Sequence, residues 1–352
     1  MRIAWVLHGS LDQRTGGTIY DAKVVRGLER SHDDVHVVSL DPRDSGEALA
    51  DRLRALAPEV VVGDELCFRQ LAPAYASLGR DGNPLRRVLL VHHLTAWEEE
   101  LAPDVRRATL AEERQAVLVS DRLIATSHTT RGRLLAELAP PAEIDVVWPG
   151  ADRLPLRAPA APRAKGVDVQ YVFVGSVVPR KRVLELLRGF ASGAHESGRL
   201  TLVGSVTRDD AYVREVRETI VRLGLGARVE LSGEIDEAGV SRALGGADVL
   251  VMPSSLEGYG IAATEAIHAG VPVIAARAQG LAEALAPCPD AALFANDEAA
   301  LASALARFAS DPTLRARMRA AAADAAPRMP TWARCAAQVR DVLVRVLEAE
   351  RP

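Results

Sequence analysis

The sequence predicts an α/β protein built from two doubly wound parallel-sheet domains. Short apolar runs of strand length alternate with helix-like segments along both halves of the 352-residue chain. Aromatic residues make up only 4% of the sequence, so the core must be built from Ala, Val and Leu. Such a core suits parallel sheets covered by helices better than a β-sandwich. A Pro/Ala-rich stretch separates the two halves, and each half is expected to be one domain.

Each half contains a series of short apolar runs that read as buried strands. The predicted strands of the first half are Ile3–Leu7, Val35–Leu40, Val60–Val62, Val88–Val91, Leu123–Ala125 and Ile144–Trp148. A glycine-containing loop follows the first strand, and a helical pattern then runs from about Ile19 to Arg30. The predicted strands of the second half are Tyr171–Val174, Leu200–Val203, Val229–Leu231, Val249–Met252 and Val271–Ala275.

The domain boundary is predicted at a proline-rich segment. Leu154–Pro162 contains three prolines and no apolar periodicity, which is typical of a linker. We therefore assign residues 1–150 to an N-terminal domain, 151–167 to the linker and 168–330 to a C-terminal domain. Residues 331–352 contain one more amphipathic helix.

Composition excludes several classes of protein. A formal net charge of −4 argues against a nucleic-acid-binding protein, which would carry a basic excess. Cys67, Cys288 and Cys335 are far apart and lack metal-ligand spacing, so they are expected to be reduced thiols. The apolar run at the N-terminus is too short for a signal peptide, and no stretch approaches the length of a membrane span. The expected location is the cytoplasm.

The most informative segment runs from residue 248 to residue 266. It reads as a buried strand, a Pro/Ser break, a Gly-x-Gly turn and a helix that begins near Ile261. Gly258 and Gly260 allow a ligand to approach the main chain closely. The N-terminus of the helix is a favourable binding site for a diphosphate. Glu257 is placed to accept from sugar hydroxyls, and Glu265 from a ribose diol. The structural alternative is an ordinary strand-to-helix turn with two surface glutamates.

The spacing of these residues resembles glycosyltransferase family 4. Two glutamates separated by seven residues lie between Pro253-Ser254 and Gly270-Val271-Pro272-Val273, and the likeness extends over about residues 171–330. The resemblance implies the GT-B fold, in which two Rossmann-like domains face each other across a cleft. It implies that the C-terminal helix packs back on the N-terminal domain. It also implies contacts from the amides of Gly258, Tyr259, Gly260 and Ile261 to the donor, from Glu265 to its ribose and from Glu257 to the reacting sugar.

A basic turn follows the first strand of the second half. Arg180 and Lys181 are placed to hold a diphosphate and to neutralise its charge as it departs. The family carries an arginine directly after the glycine of this turn and a lysine five positions later. Lys181 matches the lysine, but Ser176 stands where the arginine is expected, and Arg180 is the candidate substitute. By the same resemblance, the main chain near Glu234 and Ile235 reads the nucleotide base.

Two features of the first half resemble the family's active site. Gly16 and Gly17 lie in a loop between the first strand and a helix, like the family's glycine loop beside the donor phosphate and the acceptor. His92 and His93 end a buried strand, where the family often has a histidine, and His92 aligns best. A histidine there could bond a hydroxyl or share in proton transfer. An ordinary turn and a structural histidine are the alternatives.

An aromatic residue and three carboxylates follow the histidines, in the run Trp97-Glu98-Glu99-Glu100. If Trp97 and Glu98 line the acceptor side, they would suit a sugar-like or amine-bearing acceptor. The alternative is an acidic helix start favoured by the helix dipole.

The resemblance implies a retaining enzyme of the hexosyltransferase type. It would move a hexose or N-acetylhexosamine-type sugar from a nucleoside-diphosphate sugar to a hydroxyl of a small-molecule, glycan or natural-product acceptor. UDP is the expected carrier, front-face substitution the expected mechanism, and no metal or other cofactor is expected. Two alternatives stay open: a nucleotide-sugar epimerase or hydrolase of the same fold, and a non-catalytic nucleotide-sugar binding protein, which Ser176 suggests.

Overall fold

The computed structural model describes residues 1–80, 85–154, 169–194, 196 and 198–349. The chain divides into two compact units. Unit 1 comprises Met1–Pro149 and Thr331–Pro352, and unit 2 comprises Gly150–Pro330. Apart from its first four residues, the predicted linker 151–167 lies outside the described part of the chain.

Unit 1 contains a six-stranded parallel sheet with the order β2-β1-β3-β4-β5-β6. Its strands are β1 (Arg2–His8), β2 (Asp34–Leu40), β3 (Val60–Asp64), β4 (Arg86–Val91), β5 (Arg122–Ala125) and β6 (Ile144–Val146). Its first five helices are α1 (Gly16–Arg30), α2 (Gly46–Leu56), α3 (Phe68–Arg80), α4 (Pro103–Leu118) and α5 (His128–Leu138). Because β2 and β3 flank β1 on opposite sides, the strand order reverses between β1 and β3. Open α/β sheets bind ligands at the carboxyl ends of the strands beside such a reversal.

Unit 2 contains a second six-stranded parallel sheet, with the order β12-β11-β10-β7-β8-β9. Its strands are β7 (Val169–Val174), β8 (Gly198–Val203), β9 (Val229–Gly233), β10 (Val249–Met252), β11 (Val273–Ala275) and β12 (Ala292–Phe294). Its helices are α6 (Val183–Gly193), α7 (Asp210–Arg222), α8 (Glu237–Gly246), α9 (Ile261–His268), α10 (Gln279–Leu285), α11 (Glu298–Ser310) and α12 (Pro312–Ala325). Here the order reverses between β7 and β10, so the carboxyl ends of these two strands mark the expected ligand site.

The last helix, α13 (Trp332–Glu348), belongs to unit 1 and packs against α1. The approach is close: a Cβ placed on Gly27 of α1 would lie 2.2 Å from the Cβ of Ala336. The Arg340 guanidinium donates to the buried Asp33 carboxylate, with an Nε–Oδ2 distance of 2.7 Å. Small residues and ion pairs, including Arg345 with Asp145 at 2.9 Å, therefore hold α13 against the rest of unit 1.

The predicted α/β fold class is confirmed, and the strands are apolar because helices cover both faces of each sheet. All four residues of β10 are buried, as are all five of β3. Most strand boundaries differ from prediction by one or two residues, and three differences are larger or concern a missed element. Helix α1 begins at Gly16 instead of Ile19, because the Thr15 hydroxyl accepts from the backbone N–H of Thr18 and caps it there. Strand β6 ends before Trp148, and the three-residue β12 is too short to show in the sequence pattern. Among the described residues, no helix is both long and apolar enough to cross a membrane.

The close approach of α1 and α13 gives a stability prediction. Gly27→Ala should lower the free energy of unfolding by about 1–2 kcal/mol. Overpacking costs about 1–3 kcal/mol, and the higher helix propensity of alanine offsets at most about 1 kcal/mol of that cost. Gly132→Ala is the matched control, because no atom lies within 4 Å of a Cβ at that position in α5. The control should leave stability unchanged or raised. Urea unfolding of both variants measures the difference, and equal effects would contradict the packing of α13 on α1.

Candidate functional site in unit 2

A buried ion pair lies where the strand order of unit 2 reverses. Lys181 ends the short helical turn Pro179–Lys181 that follows β7, and Glu257 lies in the loop that follows β10. The Lys181 Nζ lies 2.5 Å from Glu257 Oε1. Lys181 is only 9% exposed and Glu257 only 7%. The two residues that the sequence assigned separately to the diphosphate and the sugar are therefore bonded to each other.

The charge of Glu257 is maintained by its cationic neighbours. Burial disfavours the carboxylate, but the attraction of Lys181 and then of Arg180 outweighs it and holds the pKa of Glu257 below its ordinary value. The Arg180 guanidinium also donates to the carbonyl of Leu256, at 3.4 Å. Both predicted cations, Arg180 and Lys181, therefore lie against the loop that carries Glu257. Their two positive charges are at the predicted diphosphate site.

The Gly-x-Gly turn depends on glycine at two positions, Gly260 within it and Gly280 packed against it. Gly260 has φ = 106° and begins α9, and a Cβ there would lie 2.7 Å from Leu281 Cδ1. Gly280 is packed still more closely, since its Cβ would lie 2.0 Å from the carbonyl oxygen of Gly258. Its N–H donates to the Glu257 carbonyl, at 3.1 Å. Because no side chain of the described residues caps α9, the positive end of the helix is available to an anion.

The other two residues predicted in this turn flank Gly260. Tyr259 is buried and Ile261 is half-buried. Their backbone, and not the Tyr259 side chain, is therefore the part that can meet a donor.

A second buried carboxylate, Glu265, is held by an arginine that the sequence did not indicate. Arg153 Nε lies 2.6 Å from Glu265 Oε1, and its Nη2 lies 2.9 Å from Oε2. The two side chains are 7% and 1% exposed, and Arg153 also contacts Glu237 at 3.5 Å. Despite burial, these carboxylates raise the pKa of Arg153 above its ordinary value. No pattern joins positions 112 residues apart, and Arg153 fell in the segment predicted to be a linker.

The remaining predicted donor residues lie at the carboxyl edge of the same sheet. Ser176 is half-buried after β7, and Glu234 and Ile235 follow β9, with Glu234 exposed. The carboxyl ends of β7 and β8 approach closely, since a Cβ on Gly204 would lie 1.9 Å from the Gly175 carbonyl. The structure thus places these residues on one edge, and their individual roles stay predictions.

In unit 1, the glycine pair and the first histidine come together. Gly16 and Gly17 form the first turn of α1, and a Cβ on Gly17 would lie 3.2 Å from the His92 ring. The backbone N–H of His92 donates to Glu65 Oε2 at 3.0 Å, and its Nε2 lies 3.9 Å from Asp64 Oδ2. Burial lowers the pKa of His92 to about 4 even though Asp64 opposes the shift. The predicted glycine loop is therefore corrected to a helix start, because Thr15 caps the helix.

The predicted acceptor side requires a correction. Trp97 is only 3% exposed; its indole N–H donates to Glu137 at 2.8 Å, and Arg133 stacks 4.4 Å from its ring centroid. It therefore packs inside unit 1 and cannot present its face to a ligand. The acidic run also does not begin a helix, since α4 starts at Pro103. His93 and Glu98 are paired, with Nε2 and Oε1 3.5 Å apart.

Comparison with known proteins agrees with this geometry. Residues 158–325 match the family described as glycosyl transferases group 1. The D-inositol 3-phosphate glycosyltransferase of Streptomyces avermitilis is 33% identical over 260 residues, which cover 69% of this chain and 56% of that protein. The protein of the same name from Segniliparus rotundus is 33% identical over 56% of this chain and 45% of its own length. The chain thus spans about half the length of these relatives.

Solved structures show the same fold. Sucrose-phosphate synthase from Thermosynechococcus elongatus superposes with a TM-score of 0.83 at 20% identity, covering 99% of both chains. HepE from Anabaena, solved with UDP and glucose, gives a TM-score of 0.77 at 17% identity, covering 98% of this chain and 99% of its own. The predicted GT-B fold class is confirmed.

The chain carries a glycosyl transferases group 1 domain, and the predicted family resemblance is confirmed. The family match and the curated relatives also support the prediction that the chain is a glycosyltransferase enzyme.

The buried pair in unit 2 gives a pH prediction. Lys181→Met should destabilise the protein by about 3–5 kcal/mol near neutral pH, because it leaves Glu257 buried without its partner. In the wild type the lowered pKa of Glu257 contributes stability above the ordinary value of 4.5, and this is lost as pH falls through the folded-state pKa. In the variant Glu257 can instead be protonated. The stability gap between wild type and variant should therefore shrink as pH falls from 7 towards 4.

The control for this experiment is Arg188→Met, which breaks the half-exposed Arg188–Glu298 pair of the same unit. Exposed pairs contribute less than about 1 kcal/mol, so this variant should show a small gap. Chemical unfolding at a series of pH values measures both gaps. A Lys181→Met gap that is constant with pH would contradict the ion pair.

Proposed function

We propose that the protein is a retaining glycosyltransferase that transfers a hexose-type sugar from a nucleoside-diphosphate sugar to a hydroxyl group. The observation that carries this proposal is the Lys181–Glu257 pair beside the Gly258–Gly260 turn, at the strand-order reversal of unit 2. UDP is the proposed carrier, and the UDP bound to HepE supports it. The names of the curated relatives favour a small polyol as the acceptor over a polymer.

The proposed chemistry needs positive charge at the diphosphate. When the bond between the sugar's anomeric carbon and the phosphate oxygen breaks, negative charge develops on the departing diphosphate. Lys181, Arg180 and the N-terminus of α9 supply the opposite charge. We therefore propose that donor binding and transfer need no metal ion at the diphosphate.

Retention would follow from front-face substitution. The acceptor hydroxyl oxygen forms the new bond on the face that the diphosphate leaves, and the departing phosphate oxygen takes the hydroxyl proton. Glu257, with its carboxylate already ionised and held by Lys181, would accept from hydroxyls of the reacting sugar. The protein's contribution is then positioning and electrostatic stabilisation.

Glu265 is proposed to receive the ribose diol. Arg153 fixes both oxygens of this carboxylate in one orientation, and the two oxygens of a carboxylate together offer about four acceptor positions. The bidentate geometry holds Glu265 in one orientation before the nucleotide arrives. The proposed role of Glu265 therefore depends on Arg153.

A second candidate follows from Ser176, which lacks the charge of the expected arginine. A non-catalytic binding protein would bind donor and turn nothing over. An epimerase or hydrolase would consume donor without an acceptor. Product analysis with donor alone, and then with small polyols such as inositol phosphates, separates these functions from transfer.

Nucleotide binding is the first test of the proposal. UDP, GDP and ADP should be compared by thermal unfolding in EDTA, and we expect UDP to stabilise the protein. At a hundredfold excess over Kd the gain is about 2.7 kcal/mol. Glu265→Gln should remove most of this shift because it removes the charge that binds the ribose diol and Arg153.

Glu298→Gln is the matched control, because this glutamate of unit 2 is half-exposed and pairs only with Arg188 among the ion pairs described. It should retain the full UDP-induced shift. If none of the three nucleotides shifts the unfolding temperature at millimolar concentration, the proposed donor site is wrong.

A further inference from the structure

A buried glutamate of unit 1 holds the turn that follows β4 and takes no part in the proposed donor site. Glu113 lies on α4 and is 1% exposed. Its Oε1 accepts from the backbone N–H of Thr95 at 2.6 Å, and its Oε2 accepts from that of Ala96 at 3.3 Å. These amides begin the short helical turn Thr95–Trp97, and Leu94, the residue before it, makes no side-chain cap. Glu113 therefore satisfies the amides that a capping side chain would normally satisfy.

The turn lies at the edge of unit 1 where a ligand is expected. It follows the carboxyl end of β4, the neighbour of β3, and open α/β sheets bind ligands at this edge. His93 precedes the turn and Glu98 follows it, and their paired side chains are 16% and 29% exposed. The position of this half-buried pair therefore depends on the turn that Glu113 holds.

Glu113 binds a proton more readily than an ordinary glutamate. Burial raises the pKa of Glu113 from 4.5 to about 7, although the hydrogen bonds from Thr95 and Ala96 oppose the shift. The negative charge of Glu98 raises this pKa further. When the turn opens, water reaches Glu113 and its pKa returns towards the ordinary value. The closed turn therefore binds the proton more tightly than the open turn does.

The charged groups on the surrounding elements are paired with partners other than Glu113. On the helices α3, α4 and α5 they form two ion pairs, Arg69–Glu112 at 2.8 Å and Arg133–Glu137 at 2.5 Å. On the loop itself, His93 Nε2 lies 3.5 Å from Glu98 Oε1. Among the described residues, no cation that could hold Glu113 in its ionised form contributes to its pKa.

We propose that Glu113 is a pH-dependent switch that holds the turn Thr95–Trp97 closed when it is protonated. Because the pKa is raised in the closed form, the stabilisation is complete below pH 4.5 and is lost as pH rises through about 7. The ratio of open to closed turn should increase roughly a hundredfold between pH 4.5 and 8. The effect on an acceptor that meets His93 and Glu98 rests on the proposed function, but the opening of the turn does not.

Hydrogen–deuterium exchange of the full chain without substrate tests the switch. Peptides that contain Thr95 and Ala96 are compared between pH 5 and pH 8, after correction for the intrinsic exchange rate of amides. We expect the protection of this segment in the wild type to fall at least about tenfold over this range. Glu113→Gln imitates the neutral carboxyl group, so the protection in this variant should not change with pH.

Glu112→Gln is the matched control, because this neighbouring glutamate of α4 is exposed and pairs with Arg69. It should keep the pH dependence of the wild type. Asp21 and Glu65 of the same unit also have raised pKa values. Exchange of β1 measures any opening of the whole unit that these two acids cause, and it should change less with pH than exchange of the turn.

Three outcomes would overturn the proposal. The protection of the turn in the wild type could be constant between pH 5 and pH 8. It could fall in parallel with that of β1, a comparison that needs no variant. The pH dependence could also persist in Glu113→Gln, which would assign it to another group. Failure of UDP to bind would leave the proposal intact, because the switch lies in unit 1 and the proposed donor site in unit 2.

Discussion

The proposed donor site of unit 2 depends on buried carboxylates that are each held by a cation from a distant part of the sequence. Lys181 holds Glu257, and Arg153 holds Glu265. Removing the cation from such a pair leaves an uncompensated charge, which costs about 3–5 kcal/mol. Both carboxylates are consequently oriented without a ligand. This preorganisation is what a catalyst that works by positioning and electrostatics requires.

The same topology carries different chemistry in the two units. Each sheet reverses its strand order once, and functional side chains follow the strands that flank the reversal. In unit 2 these side chains are two paired charges beside the uncapped helix α9. In unit 1 they are the buried acids Asp21, Asp64 and Glu65 around His92. Positive charge therefore marks the edge in unit 2, and buried acids mark the edge in unit 1.

The sequence allowed the fold and most of the participants to be predicted, but not their pairing. The apolar runs located β10 correctly, and the Gly-x-Gly turn predicted the start of α9 at Ile261. Periodicity carries no information on contacts between residues 76 or 112 positions apart, so the two buried ion pairs were missed. Trp97 was misassigned to a ligand surface because its burial depends on Arg133 and Glu137, which come from α5.

The proposed donor site requires that Lys181, held by Glu257, meets the diphosphate of a uridine nucleotide. Titration calorimetry of UDP and of uridine, with wild type and Lys181→Met in EDTA, tests it most directly. Because the nucleoside lacks the groups that Lys181 would contact, the substitution should weaken UDP binding at least tenfold more than uridine binding. An equal loss for both ligands would show that Lys181 only supports the fold, and would contradict the account.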